Sequence, residues 1–168
     1  MAPERYNIRV YGICCDQQGR VLLTDERRGG YLMTKFPGGG HDLGEGLEEA
    51  LKREFIEETQ TDINVLGLFY INEFLQISAF NPKDQLLSIY YLVELSTPLQ
   101  VPVVEEVHSF EDNSGDAHAF RWIAIEELAP EMFTFPIDKV VSQKILANKT
   151  YLMGLAHQSN FPGEGAIH

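Results

Sequence analysis

The sequence predicts an α/β fold in which a mixed sheet is covered by helices. Segments with the alternation of β-strands precede and follow one amphipathic helix, and a late strand leads into a second helix. The chain has 168 residues, of which 44% are hydrophobic and 23% charged. This suits one domain with its own core, which we place at residues 1–150, followed by a tail, 151–168, that is partly disordered or packs on the domain.

The first two strands are expected to form a hairpin. Tyr6–Cys15 and Arg20–Thr24 are rich in apolar and β-branched residues, and the turn residues of Asp16–Gly19 separate them. Asp25–Tyr31 should then be a loop, and a further loop should extend to about Glu45.

A central helix is predicted over Leu47–Thr59. Its apolar stripe includes Ala50 and Leu51, and Glu54 and Glu58 continue this same stripe. A merely solvated acidic face would lie opposite the apolar stripe instead. Acids at positions where apolar side chains are expected therefore indicate a functional site.

Glu54, Glu57 and Glu58 are related as i, i+3 and i+4, so they share one patch of the helix surface. Each close pair of like charges costs about 0.2–0.5 kcal/mol on an exposed helix unless a cation lies between them. Magnesium is the natural candidate, because it takes oxygen ligands from a few carboxylates together with water and substrate phosphates.

The second half of the chain repeats the strand and helix signals. We predict strands at Ile63–Phe80, which contains a break, at Leu86–Leu95 and at Ala119–Ala124, with a mostly irregular section over residues 96–116. A short helical turn at Glu126–Ala129 and an amphipathic helix over Pro136–Asn148, which begins at a proline, should follow.

The segment from Gly39 to Thr61 resembles the box of the Nudix hydrolase family, Gx5Ex7REUxEExGU, where U is a bulky apolar residue. The glycine turn Phe36–Gly40 also resembles the family's approach to the box. Gln60 and Thr61 depart from the glycine and the apolar residue of the pattern, so we expect the helix exit and the next loop to differ while the metal site is retained. The matching positions are Gly39, Glu45, Arg53, Glu54, Phe55, Glu57 and Glu58.

This resemblance implies an α/β/α sandwich and a metal-dependent pyrophosphohydrolase. The reaction would be attack of water, assisted by Mg²⁺ or Mn²⁺, on a nucleoside diphosphate linked to another moiety. Glu57 and Glu58 would be metal ligands, helped by the backbone carbonyl of Gly39. Glu54 would be a third ligand or the catalytic base.

The resemblance also implies that Arg53 orients a neighbouring glutamate, and that Glu45 braces the loop or reaches the metal through water. Another source of the base is an acidic loop, although such loops are more often merely solvated. Its members are Glu105, Glu106, Glu111, Asp112 and Asp116.

Arg27, Arg28 and Lys35 are the candidates for binding substrate phosphates, because they are among the few cations close to the glycine turn in sequence. The expected partner is a small phosphorylated metabolite, a nucleotide derivative. A net charge of −12 argues against a nucleic-acid polymer, whose binding depends on a basic face. The sequence leaves open whether the chain forms a homodimer.

No segment has the apolar core of a signal peptide or the length of a membrane span, so we expect a cytoplasmic protein without a membrane partner. Two other functions are compatible with the fold: a ligand-sensing module with little turnover, and a prenyl-diphosphate isomerase. The isomerase would need a proton-transferring cysteine. Cys14 and Cys15 are read instead as small buried thiols on opposite faces of a strand.

Overall fold

The structure is a computed structural model that describes residues 2–158 as two β-sheets flanked by helices. The strands are β1 (Arg5–Cys14), β2 (Arg20–Arg28), β3 (Tyr31–Lys35), β4 (Gly38–Gly40), β5 (Ile63–Ile71), β6 (Asp84–Leu95) and β7 (Ala117–Ala124). The helices are α1 (Leu47–Thr59), α2 (Pro136–Ala147) and α3 (Lys149–Gln158), and single 3-10 turns occupy Ile125–Glu127 and Pro130–Met132.

The predicted mixed sheet is confirmed, and a second sheet accompanies it. The mixed sheet has the strand order β4–β1–β6–β5, with β1 parallel to β6 and the two outer pairs antiparallel. The second sheet, β3–β2–β7, is antiparallel. The hairpin expected from the first two strands is therefore wrong, because β1 pairs with β4 and β6 whereas β2 pairs with β3 and β7 in the other sheet. Strand β1 is thus an interior strand, which lies between β6 and the short glycine strand β4.

Two hydrophobic clusters bind helices to the opposite faces of the sheets. On one face, Val10 and Leu22 pack with Leu51 and Phe55 of α1. The adjacent strand residues point the other way and pack with α2 and α3; this second cluster includes Tyr11, Ile13, Leu23, Ile137, Val141, Ile145 and Leu152. The expected α/β/α sandwich is therefore the observed architecture.

The loop expected at Asp25–Tyr31 is wrong, because β2 continues to Arg28 and a hairpin turn joins it to β3. Gly29 and Gly30 form this turn with φ of 56° and 81°, values that glycine adopts without strain. Asp25 is a buried strand residue, and the Arg121 guanidinium of β7 binds it through two hydrogen bonds of 2.6 and 3.0 Å. A charged residue read as a loop signal is in fact half of an interior ion pair.

Helix α1 has the predicted bounds, and both of its ends are explained by local contacts. At the start, the Glu49 carboxylate accepts a hydrogen bond from the Gly46 N–H at 2.6 Å. At the end, Gln60 adopts the left-handed conformation of a helix-terminating glycine, with φ 54° and ψ 21°, and its N–H donates to the Ile56 carbonyl. The helix therefore exits in the conformation that the family's glycine position favours.

The other two unusual residues of the box are accommodated by their neighbours. Phe55 is fully buried, and Gly12 of β1 leaves the space for its ring: a Cβ built on Gly12 would lie 2.7 Å from Phe55 Cε2. Thr61 is also buried, and its hydroxyl donates to the Thr59 carbonyl and accepts from the Gln100 N–H, both at 2.9 Å. Each departure is matched by a compensating partner.

The segment after α2 is more ordered in its first part than the sequence indicates. Helix α3 follows α2 after the single residue Asn148 and buries Leu152 and Ala156 against the core. The rest of the proposed tail, residues 159–168, lies outside the described residues. Within residues 2–158, no helix combines the length and hydrophobicity needed to cross a membrane.

Candidate active site

The acidic residues of α1 meet the glycine strand β4. The Glu54 carboxylate packs directly on Gly39, and any side chain at Gly39 would collide with it. Glu54 and Glu58 are largely buried, with 14% and 11% of their side chains exposed, whereas Glu57 is 57% exposed. The structure thus brings together Gly39 and the three glutamates that the sequence selected.

Arg53 organises this region by hydrogen bonds to three glutamates and a backbone carbonyl. Its Nε and Nη2 donate to the two oxygens of Glu45 at 2.9 and 2.6 Å, and Nη2 also donates to the Gly40 carbonyl at 2.9 Å. Its Nη1 donates to Glu54 Oε1 at 3.1 Å and contacts Glu57 Oε2 at 3.4 Å. The hydrogen bonds from Arg53 lower the pKa of Glu45 to about 2. Arg53 therefore ties the loop to the acidic helix, as a planar fork of donors allows.

The carboxyl group of Glu58 is strongly perturbed by its surroundings. Burial raises the pKa of its carboxyl to about 7, although nearby Lys35 acts in the opposite direction. Its Oε2 is buried and has no hydrogen-bond partner among residues 2–158. His118 Nε2 lies 3.5 Å from the other oxygen, Oε1. A buried carboxylate oxygen without a partner is costly, so this atom is suited to a cation or a donor brought by a ligand.

Lys35 is buried beside Glu58. Its Nζ donates to Glu26 Oε2 at 2.9 Å and to the Gly38 carbonyl at 3.1 Å, and lies 4.0 Å from Glu58 Oε1. Burial by itself would lower the pKa of Lys35, but nearby Glu58, Tyr11 and Glu26 raise it by more. The pKa therefore lies above its ordinary value and the ammonium stays charged. Lys35 thus holds the glycine turn against the acids.

Two neighbouring hollows open around these residues. An acidic cleft of about 400 Å³ is lined by Glu54, Glu57, Glu58 and the glycines of β4. An aromatic cavity of about 280 Å³ is lined by residues that include Tyr11, Tyr90, Phe80 and Phe135. The two hollows meet at a shared boundary, which is formed by the four residues that line both of them: Arg9, Glu26, Arg28 and Lys35.

Of the three predicted phosphate-binding residues, the structure places two at this shared boundary. Arg28 lines both hollows and lies 5.5 Å over the ring of Phe80, and Lys35 lines both as well. Arg27 points to the other face of β2, where it donates to the carbonyls of Asp112 and Gly115. Successive strand residues face opposite ways, so neighbouring arginines cannot both enter the cleft.

The acidic loop is divided in the structure. Glu111 and Asp112 line a separate hollow of about 300 Å³ that Glu58 and His118 also border. Glu105, Glu106 and Asp116 are exposed, and Asp116 accepts a hydrogen bond from the Gly29 N–H. Of the five acids, Glu111 and Asp112 therefore approach the functional region.

Both cysteines are distant from the two hollows. Cys14 is buried in the cluster that binds α1, and burial raises its pKa well above the ordinary value. Burial likewise raises the pKa of Cys15 to about 12. These thiols stay protonated, and neither lines the acidic cleft or the aromatic cavity.

Arg9 and Glu26 were not among the residues selected from the sequence. Glu26 and Arg28 fall on one face only if β2 continues beyond Thr24, so the misplaced loop concealed them. Arg9 lies two residues before Tyr11 on β1, and that alternation was the available signal for it.

The donor set of the cleft fits a hard divalent cation. Carboxylate oxygens of α1, one of them without a partner among residues 2–158, line the cleft together with the glycines of β4. Among residues 2–158, no three acidic, histidine or cysteine side chains converge as a preformed metal cage. Magnesium suits such an open arrangement, because it keeps several waters and shares its coordination with substrate phosphates.

The sandwich, the glycine turn and the acidic helix match the resemblance found in the sequence, and a comparison with protein-family models agrees. The family model described as the NUDIX domain matches residues 5–144. The chain belongs to the NUDIX domain family.

Solved structures share the fold at low sequence identity. A NUDIX hydrolase from Nitrosomonas europaea is 22% identical with a TM-score of 0.62, covering 86% of this chain and 90% of its own. A MutT structure from work on Aliivibrio salmonicida and Vibrio cholerae is 21% identical with a TM-score of 0.56, covering 86% and 98%. An ADP-ribose pyrophosphatase from Streptococcus suis is 16% identical with a TM-score of 0.54, covering 92% and 94%.

Proposed function

We propose that this protein hydrolyses a diphosphate bond in a nucleoside diphosphate linked to another moiety, by metal-assisted attack of water. The observation that carries the proposal is the junction of the acidic cleft with the aromatic cavity at a boundary rich in cations. A diphosphate lying across this boundary would place one phosphorus beside the glutamates and an attached organic group among aromatic rings.

The side chains divide the work of the reaction. Glu57 and Glu58, with the Gly39 carbonyl, would hold Mg²⁺, or Mn²⁺ in its place. Glu54 is a further ligand or the base that takes the proton from the attacking water. When bound, the ion supplies charge neutralisation and a more acidic water, which is the main requirement of phosphoryl chemistry.

Arg53 and Lys35 are positioning residues in this proposal. Arg53 holds Glu45 and Glu54 by hydrogen bonds, so the acids keep their places before the substrate arrives. Lys35 fixes the Gly38 carbonyl and, together with Arg28, gives the boundary its positive charge. Prearranged groups of this kind favour the transition state because they need no reorganisation during the reaction.

The aromatic cavity favours a nucleotide derivative. Phe80 is half exposed at the cavity and lies edge-on to Phe135, with 6.3 Å between the ring centroids. Exposed rings at the mouth of a pocket can stack on a base. Solved relatives described as an ADP-ribose pyrophosphatase and a UDP-X diphosphatase give precedents for such substrates on this fold.

The test is a panel of dinucleotides, nucleotide sugars and nucleoside triphosphates, assayed for cleavage with and without Mg²⁺. We expect metal-dependent cleavage of at least one compound. Glu57→Gln and Glu58→Gln should suppress it, because each removes a ligand charge, while Glu48→Gln removes the same charge from an exposed site on α1 and should leave it intact.

The outcomes separate the alternatives. Binding without turnover across the panel would point to the ligand-sensing function. Cleavage that survives both ligand substitutions would show that α1 does not carry the metal site. Isomerisation lacks a suitable thiol, since neither cysteine reaches the cleft.

A further inference from the structure

Arg9 is a cation of the boundary that has no anion in contact among residues 2–158. It is partly buried on the interior strand β1 and lines both the acidic cleft and the aromatic cavity. No carboxylate of residues 2–158 lies within 4.0 Å of its guanidinium, whereas Lys35 is paired with Glu26 and Arg53 with Glu45. A cation that is partly removed from water needs an opposite charge, so an anionic ligand is expected here.

The neighbours of Arg9 hold its guanidinium in a defined direction. Its Nε donates to the Tyr11 hydroxyl at 2.7 Å, and the ring of Tyr11 stacks on Tyr90 with 5.1 Å between centroids. The terminal Nη1 lies 3.8 Å from the position of a Cβ built on Gly40, so it reaches the glycine turn of the cleft. With Nε engaged, the two Nη groups are the donors available to a ligand.

The charge of Arg9 is permanent. Its pKa is raised above the ordinary value, first by the Tyr11 oxygen and further by the more distant Glu54 and Glu26, although burial acts against this. Glu54 and Glu26 influence it through space without touching it. A phosphate at the boundary would therefore meet a fixed fork of donors, the geometry that suits bidentate contacts to phosphate oxygens.

We propose that Arg9 is a phosphate-binding residue that holds the phosphate joining the group in the aromatic cavity to the phosphorus attacked in the acidic cleft. The proposal rests on the proposed function and extends it with a residue outside the box. It also gives Tyr11 a role, which is to orient Arg9. The site would then favour a diphosphate over a single phosphate, because a diphosphate can meet the glutamates through one phosphate while the other occupies the Nη donors of Arg9.

The test compares Arg9→Gln with Arg20→Gln. Arg20 pairs with Asp16 at the turn between β1 and β2, so its substitution removes the same charge from a place outside the site. The probe is methylenediphosphonate with Mg²⁺, whose P–C–P bridge is not cleaved, and the single-phosphate control is methylphosphonate. Calorimetry should show that Arg9→Gln weakens diphosphonate binding about 10- to 100-fold, the loss typical of a charged hydrogen bond, while methylphosphonate binding changes little.

Two further variants decide the matter if Arg9→Gln unfolds at a lower temperature than the wild type. Arg9→Lys keeps the charge without the fork, and Tyr11→Phe removes only the hydroxyl that orients Arg9. Both should weaken diphosphonate binding by a smaller factor, about threefold or more. The proposal is overturned if the wild type does not bind the diphosphonate, or if all Arg9 and Tyr11 variants bind it as the wild type does.

Kinetics on any cleaved compound separate this proposal from the proposed function. Cleavage that is unaffected by Arg9→Gln would refute the role of Arg9 and leave the hydrolase intact. Diphosphonate binding that depends on Arg9, in a protein that cleaves nothing, would refute the hydrolase and leave the role of Arg9 intact. A drop in kcat/KM of at least tenfold for Arg9→Gln, with Arg20→Gln within twofold of the wild type, supports both.

Discussion

Asp138 should make the protein less stable as the pH rises towards neutrality. It lies in the first turn of α2, is 2% exposed, and accepts a hydrogen bond of 2.7 Å from the Tyr90 hydroxyl. Burial raises the pKa of its carboxyl to about 7, because Lys35 and Arg9 are too remote to pair with it and the Tyr90 hydrogen bond only partly offsets the effect. The perturbation that tests this is Asp138→Asn.

The sign follows from proton binding in the two states. The unfolded pKa is about 3.9 and the folded pKa is higher, so between about pH 4 and 7 the folded protein holds a proton that the unfolded chain has released. The free energy of unfolding therefore falls through this window and stays at the lower value above it. A difference of about three pKa units corresponds to an upper limit of about 4 kcal/mol.

Asparagine keeps an acceptor for Tyr90 and has no charge to bury. Urea denaturation at pH 5 and pH 8 should show that Asp138→Asn gains on the wild type by about 2–3 kcal/mol between these values, because about two pH units of the window lie above pH 5. Taking the difference between the two proteins cancels the other titrating groups. A difference that does not change with pH would refute the burial argument for Asp138.

Two further predictions concern helix α1 and are measured by denaturation. Gln60→Gly should stabilise the protein by up to about 1 kcal/mol, because glycine adopts the φ of 54° without a Cβ penalty; destabilisation would mean that the Gln60 side chain makes a compensating contact. Gly12→Ala should destabilise by about 1–3 kcal/mol, because the new Cβ would lie 2.7 Å from Phe55 Cε2. Adding Phe55→Leu should recover part of that loss, and strictly additive effects would contradict the proposed fit of Gly12 to Phe55.

Local sequence signals were sufficient for the acidic helix α1. The bounds Leu47–Thr59 and the placement of Glu54 and Glu58 on the buried stripe follow from a period of 3.6 residues, which depends on the helix alone. The resemblance likewise implied that Arg53 orients a neighbouring glutamate, and the structure places its guanidinium in hydrogen bonds with Glu45 and Glu54. Such features need no information from distant parts of the chain.

Strand limits were harder because pairing partners are distant in sequence. The extension of β2 to Arg28 depends on Arg121 and its neighbours on β7, nearly a hundred residues away, and this extension decides which of Arg27 and Arg28 faces the cleft. A shift of one residue turns every side chain to the other face, so an error in the strand becomes an error in the site.

The sequence by itself determined the fold class, the family and the acidic helix, because each follows from the periodicity of apolar residues or from a contiguous motif. Only the tertiary structure decided which charged residues of the sheets lie beside those acids. Arg9, Glu26 and Lys35 come from three different strands and share one boundary because of sheet pairing and strand alternation. Long-range pairing leaves no local signature, so the cationic boundary between the acidic cleft and the aromatic cavity became visible only when the chain was folded.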